Sequence, residues 1–404
     1  MSGSDTTWLL VSTALVMLMT PGLALFYGGM VQSKNVLSTF MHSFFAMGLV
    51  SVQFAVIGYS LAFGHSHGGV IGGFDYVGLA GITEHSAHGT VPQLAFVAYQ
   101  CMFAVITPAL ISGAFAERMK FSAFILFTLA WTTLVYDPIA HWVWGDGGWL
   151  AKLGAIDYAG GTVVHLSSGI SALVVAIVLG KRAGYPSVRH PPHNLAMTVT
   201  GAGILWFGWF GFNAGAAGAN GTAALALLNT HLAAAAAAVT WAVIEALRIR
   251  KMTMLGVASG LVAGLVAITP AAGYVSPMVA MLIGVVASCA CFAAVLAKSR
   301  LGYDDALDAF GVHGVGGATG ALLTGVFARA ALNNGVGGSA SLLAHQAIGL
   351  AAAGAWAALV TYVLLKILDA LVGLRVEIDD EREGLDTALH GESAYGSAGA
   401  VHEG

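Results

Sequence analysis

Charge is what this sequence has least of. Only 9% of its 404 residues are Asp, Glu, Lys or Arg. Soluble chains average about 25%, so a water-soluble globule is excluded. The net charge of -4 by itself argues nothing about nucleic acid, but no basic patch with interleaved aromatics occurs, so no nucleic-acid partner is expected. Cysteine is scarce: Cys101, Cys289 and Cys291, all within apolar runs. An odd count, with the last two pointing to different faces of a helix, excludes a disulfide framework and a thiolate metal centre. These thiols are read as buried packing residues. A cationic leader is also missing, since the first basic residue is Lys34. The apolar run from Trp8 to Tyr27 is too long for a cleaved signal segment and is expected to stay as a membrane span.

What the chain does have is apolar length and glycine. Hydrophobic residues reach 57%, the mean hydropathy is +0.81, and glycine occupies 54 positions. That is about twice glycine's ordinary share, and small residues let membrane helices approach closely. A span needs about 20 apolar residues. Eleven stretches qualify: 8–28, 36–63, 93–114, 122–143, 161–180, 195–217, 222–247, 254–271, 277–298, 309–329 and 342–369. The fold class expected is therefore an all-α polytopic membrane protein with no soluble domain.

Basic residues set the orientation. With the N-terminus outside, the inner side carries Lys34, Arg118, Lys120, Lys181, Arg182, Arg189, Arg248, Arg250, Lys251, Lys298, Arg300, Lys366, Arg375 and Arg382. Only Lys152 and Arg329 fall outside. This imbalance supports eleven spans and places the C-terminus in the cytoplasm. Spans one to five and six to ten form equal halves of odd helix number, so the second half is inverted. An inverted 5+5 repeat, with a final long helix, puts a substrate path at the pseudo-two-fold interface.

Two histidines stand out in that scheme: His165 in GGTVVHLSSG and His313 in FGVHGVGGATG. They fall in the last span of each half. An ionisable side chain at membrane depth is costly and marks a transport path or proton relay. One such histidine alone reads as a packing residue; two at matching positions, with no acid in either string, read as a pair. Neutral imidazole donates at one nitrogen and accepts at the other. A metal or haem centre is the competing chemistry, and the strings supply no further ligands for it. His65, His67, His85 and His88 cluster in loop 64–92, where solvated side chains are the simpler reading.

The strings FYGGMVQSKN (26–35), ISGAFAERMKFSA (111–123), DYAGGTVVH (157–165), GWFGFNAG (208–215), ITPAAGYV (268–275) and DAFGVHGVGG (308–317) resemble the Amt/Rh family of ammonium transporters, on the Amt side. The resemblance is collinear over nearly the whole chain. It implies a homotrimer with one pore per subunit, and it assigns the twin-histidine role to His165 and His313. Trp144, at the outer end of the fourth span, reads from sequence alone as an interfacial tryptophan or a cation–π platform. By resemblance it is the vestibule tryptophan that recruits ammonium. Phe103 and Phe212 match the stacked phenylalanines above the histidines, and Trp209 matches a pore-lining tryptophan. Asp157, eight residues before His165, is either a helix cap or the acid that organises the ammonium site, as the family match implies. Asp308 is read as a cap of the tenth span. In the family a serine follows NAG; here Ala216 stands there, which removes one acceptor for ammonium, a loss of about 1–3 kcal/mol if nothing replaces it.

The resemblance implies ammonium uptake through an inner (cell) membrane. Ammonium is captured at an outer aromatic vestibule and deprotonated, and ammonia crosses an apolar pore. Methylammonium is the expected analogue, and the proton relay is separate or absent. A neutral Rh-type gas channel and a low-flux ammonium sensor are the alternatives. The protein is expected to be no enzyme and to need no cofactor or metal. Residues 1–372 form the membrane domain and 373–404 a cytoplasmic tail hinged at Gly373. The match of EREGLDTALHGESAY implies a tail that packs on the inner face, couples subunits and serves a docking PII-type signal protein. Membrane lipid completes the list of partners.

Overall fold

The computed structural model describes residues 1–188 and 190–396. Arg189 and residues 397–404, the end of the expected tail, lie outside the described residues. Among the described residues ten helices are long and apolar enough to cross a membrane: α1 Gly3–Met30, α2 Ser33–Phe63, α3 Gln93–Phe115, α4 Phe121–Leu153, α5 Gly161–Leu179, α6 Leu195–Ala214, α7 Gly221–Ile249, α9 Pro277–Leu301, α10 Phe310–Phe327 and α11 Ala340–Val372. Between α7 and α9 lies α8, Met254–Ile268, apolar but only 15 residues long. The eleven expected spans are thus all helices. Several run longer than their apolar cores; α7 extends to 29 residues and α11 to 33.

Sequence explains the ends. Ser2 caps α1, Asn194 α6, Asn220 α7, Thr253 α8 and Ser339 α11, each side-chain oxygen accepting from an amide of the first turn. Gly373 follows α11 at φ +69°, a conformation that favours glycine. Loop 64–92 holds two hairpins of two-residue strands, β1 Ser66–His67 with β2 Ile71–Gly72, and β3 Ala87–His88 with β4 Val91–Pro92.

The two halves meet through glycine. The first helices of the halves, α1 and α6, pack so closely that a methyl group on Gly201 would lie 2.3 Å from the Phe26 amide nitrogen. The last helices, α5 and α10, cross at Gly169, where a methyl group would lie 2.1 Å from the Gly314 nitrogen. Both last helices begin with a π-helical turn, Gly161–Leu166 and Phe310–Gly314, and each turn contains the histidine. Both are capped by an aspartate eight residues before that histidine, Asp157 and Asp305. Matching caps, matching π turns and matching crossings are the marks of the inverted repeat.

Asp308, expected to cap α10, does not. Asp305 accepts from the Ala309 and Phe310 amides at 3.0 and 2.8 Å. Asp308 instead lies 2.5 Å from Lys298 Nζ, with φ +60°. A cap needs extended backbone, whereas Asp308 is left-handed and its carboxylate is taken up by Lys298.

After Gly373 the tail turns back onto its own chain. Leu374, Arg375 and Val376 pair with the 118–120 backbone. The short helices α12 Ile378–Glu383 and α13 Leu385–His390 follow. Asp386 accepts from the Ser38 amide at 2.8 Å, and Asn35 accepts from the Leu385 amide. Beneath the tail sits a buried cluster in which Arg182 bridges Glu117 at 2.8 Å and Asp304 at 2.9 Å. Burial opposes charge on both acids. The Arg182 guanidinium outweighs it and holds Glu117 and Asp304 below the ordinary carboxylate range.

Candidate conduction path

Three cavities line up through the centre of the chain. The first opens on the face that carries the N-terminus, holds about 500 Å³, and is walled by Phe103, Trp144, Tyr99, His88, Asp5 and the 215–218 backbone. The second is a constriction of only about 10 Å³ between Phe212 and the two histidines, room for one water-sized molecule. The third, about 280 Å³, lies between His313 and the tail-bearing face and is lined by Phe26, Tyr27, Trp241 and Asp308 among others.

Phe103 and Phe212 form the lid between the first two cavities. Their rings stack at 4.1 Å and 25°, and both are nearly fully buried. Trp144 stands edge-on to Phe103 at 6.0 Å. Its indole Nε1 donates to the Asp157 carbonyl at 2.9 Å, which fixes the ring at the rim. Ala216 faces the same cavity, and neither it nor Ala217 offers a hydroxyl.

Below the lid, Trp209 stacks on His165 at 5.3 Å and 19°, its Nε1 held by Thr269 at 2.9 Å. His165 and His313 lie nearly parallel, with centroids 5.4 Å apart. Their Nδ1 atoms approach to 3.3 Å, so a proton on one is shared with the other. Nε2 of His165 is buried and has no partner. The walls of the constriction are Met19, Leu23, Ile106, Leu110, Val164, Leu205 and Val262. Among the described residues no other polar side chain lines it.

Asp157 is a cap, not a free carboxylate. Oδ1 accepts from the Gly160 and Gly161 amides at 2.8 and 2.7 Å, and Oδ2 from Thr162 and Val163 at 2.7 and 3.2 Å. One residue therefore fixes the start of α5, and through its carbonyl the rim tryptophan. Of the eight residues singled out from sequence, Phe103, Trp144, Ala216, Phe212, Trp209, His165 and His313 line these cavities, and Asp157 stands behind the rim as the cap of α5. Two further residues shape the path and were not among those singled out from sequence: Asp305, whose spacing from His313 repeats that of Asp157 from His165, and Thr269, which holds Trp209. The histidines of loop 64–92 form no group of three or more metal-ligating side chains with other His, Cys, Asp or Glu among the described residues. Of the four, only His88 lines the first cavity, its ring stacked on Phe96 at 3.7 Å.

A helical bundle with a lidded, apolar passage through its centre defines a polytopic membrane protein of the transporter class. The chain belongs to the Ammonium Transporter Family, whose sequence model matches residues 7–395. It is 49% identical over 404 residues to an ammonium transporter of Bacillus subtilis strain 168, covering 98% of this chain and 99% of that one. Among solved structures it resembles Saccharomyces cerevisiae Mep2, with a TM-score of 0.89, 39% identity and coverage of 94% of this chain and 88% of that one. It also resembles a sensor Amt protein, at a TM-score of 0.90 and 31% identity over 96% and 98% of the two chains.

Proposed function

We propose that this protein carries ammonium across the membrane by stripping its proton and conducting ammonia through the constriction. The observation that carries this reading is the order along the path: an aromatic rim, a stacked phenylalanine lid, then two hydrogen-bonded histidines in an otherwise apolar space for one small molecule. Trp144 offers its π face to a cation. A bare ammonium ion below the lid would lose its hydration with nothing but imidazole in exchange, so the proton leaves first. Ammonia then crosses past Phe103, Phe212 and Trp209, accepting from or donating to the free His165 Nε2. The shared Nδ1 proton gives the histidine pair two tautomeric arrangements. Switching between them passes a proton, a route for charge separate from ammonia. Potassium is refused, because it has no proton to shed and meets no oxygen cage.

In this reading the N-terminal face is external, the tail lies in the cytoplasm, and the protein sits in the inner membrane as a homotrimer with one path per subunit. Residues 1–372 form the transport domain and 373–404 a regulatory tail that offers a PII-type protein its docking surface. The hydroxyl-free wall at Ala216 favours one second reading, neutral ammonia conduction with weak cation capture. Current across proteoliposomes after an ammonium pulse, with potassium as control, separates the two. An ammonium-specific inward current supports deprotonation with proton relay. Alkalinisation of the lumen without current selects the neutral channel, and absence of both refutes transport.

A further inference from the structure

One acid in the membrane interior has no part in the path just described. Asp137 is fully buried in α4, seven residues before Trp144, or about 10 Å along the helix axis beneath it. No Lys, Arg or His pairs with it among the described residues. Its single side-chain partner is Gln53 of α2, whose Nε2 donates to Asp137 Oδ2 at 2.8 Å and also to Thr133 Oγ1 at 3.1 Å. Two oxygens are left over: Asp137 Oδ1 and Gln53 Oε1 are both buried and both without a partner.

We infer that Asp137 is an intramembrane proton-binding site, held as a neutral carboxylic acid in a two-point ring with the Gln53 carboxamide. An ionised carboxylate has only acceptors, and a carboxamide oxygen is an acceptor too. The two orphaned oxygens therefore cannot satisfy each other. One proton on Oδ1 converts that side into a donor to Gln53 Oε1, while Oδ2 keeps its bond from Nε2. Both orphans are removed by one atom, and an unpaired charge in a dry interior is avoided. A second cation in place of the proton would find only these two free oxygens, too few to replace a hydration shell.

The location gives the ring a task. Gln53 directly precedes the π-helical turn Phe54–Gly58, and Asp137 directly follows the π-helical turn Thr132–Tyr136. The ring thus pins two distorted turns, of α2 and α4, side by side. Just above it His141 of α4 bonds the Ala62 carbonyl and Ser66 hydroxyl that follow α2's own turn. Asp137 is a positioning residue for the rim that bears Trp144, and its proton stays bound through the transport cycle.

Infrared spectra of the full-length protein in proteoliposomes at neutral pH test this. The wild-type minus Asp137→Asn difference should contain the carbonyl stretch of a protonated carboxylic acid, shifted in D2O, and no carboxylate bands. Carboxylate bands in that difference would overturn the inference, as would an acid band that appears only when sodium or ammonium is withdrawn. Asp137→Asn, which can close the same ring, should keep the thermal unfolding midpoint, whereas Asp137→Leu should lower it. Equal damage by both would mean that the anion is required. Should neither fold, Gln53→Leu reports independently: the acid band should move to the higher frequency of a free acid, and an unmoved band would refute the ring.

Discussion

Adding one methyl group at Gly169 is expected to disable the path without replacing any side chain that lines it. Gly169 sits one helical turn below His165 on α5 and faces Gly314, the neighbour of His313 on α10. An added Cβ would lie 2.1 Å from the Gly314 nitrogen, 2.3 Å from its Cα and 2.9 Å from the His313 carbonyl carbon. All three are backbone atoms, so no side chain can swing aside. Ordinary contact begins near 3.4 Å, so the helices must part by about 1.3 Å. The His165–His313 Nδ1 separation, now 3.3 Å, then exceeds hydrogen-bonding distance. Overpacking of this kind costs about 1–3 kcal/mol, small enough for the bundle to survive. Gly169→Ala should therefore elute as intact, folded protein yet show ammonium flux at least about tenfold below wild type, since an ångström-scale misplacement costs that much or more. Gly203→Ala, where nothing lies within 4 Å, is the matched control and should conduct normally. Wild-type flux in folded Gly169→Ala protein would refute the link between helix crossing and histidine spacing.

Other perturbations test separate parts of the account. Trp144→Leu removes the proposed cation–π platform, worth about 0.5–2 kcal/mol, so the half-saturating ammonium concentration should rise by about 2- to 30-fold with little change in maximal current; an unaltered value would remove Trp144 from capture. Asp157→Ala strands four backbone amides at the start of α5 and should lower stability by at least about 2 kcal/mol, read as a lower unfolding midpoint in detergent. On the tail-bearing face, Glu117 and Asp304 are held below their ordinary values of 4.5 and 3.8. Groups shifted this way stabilise the fold above those values, and the contribution is lost as pH falls through the lowered ones. Thermal stability should therefore drop in acid below about pH 4, and Asp304→Asn should cost about 3–5 kcal/mol at neutral pH while flattening that acid dependence.

The hydropathy of this chain was sufficient to place eleven helices, because a membrane span must satisfy its backbone internally and so declares itself by length. The path residues were legible for a different reason: His165 and His313 are expensive at membrane depth, and their strings are long enough to resemble a family. Other features stayed hidden. Nothing in GGTVVH or AFGVHG announces a π turn, which depends on the crossing at Gly169 and on caps reaching back from Asp157 and Asp305. The choice of Asp305 over Asp308 depended on where helix α10 begins, a boundary that hydropathy leaves loose. The pairing of Gln53 with Asp137 joins residues 84 positions apart, a contact only the folded bundle can disclose. Arg182 looked like one more inner cation, and its burial between Glu117 and Asp304 follows from tertiary packing alone.

The most direct test of the central claim is the ammonium and potassium current of His165→Asp protein in proteoliposomes beside wild type. A fixed carboxylate in the constriction should abolish ammonium current or admit potassium, with the protein still folded. An ammonium-specific current identical to wild type would contradict the claim that the substrate passes the His165–His313 pair.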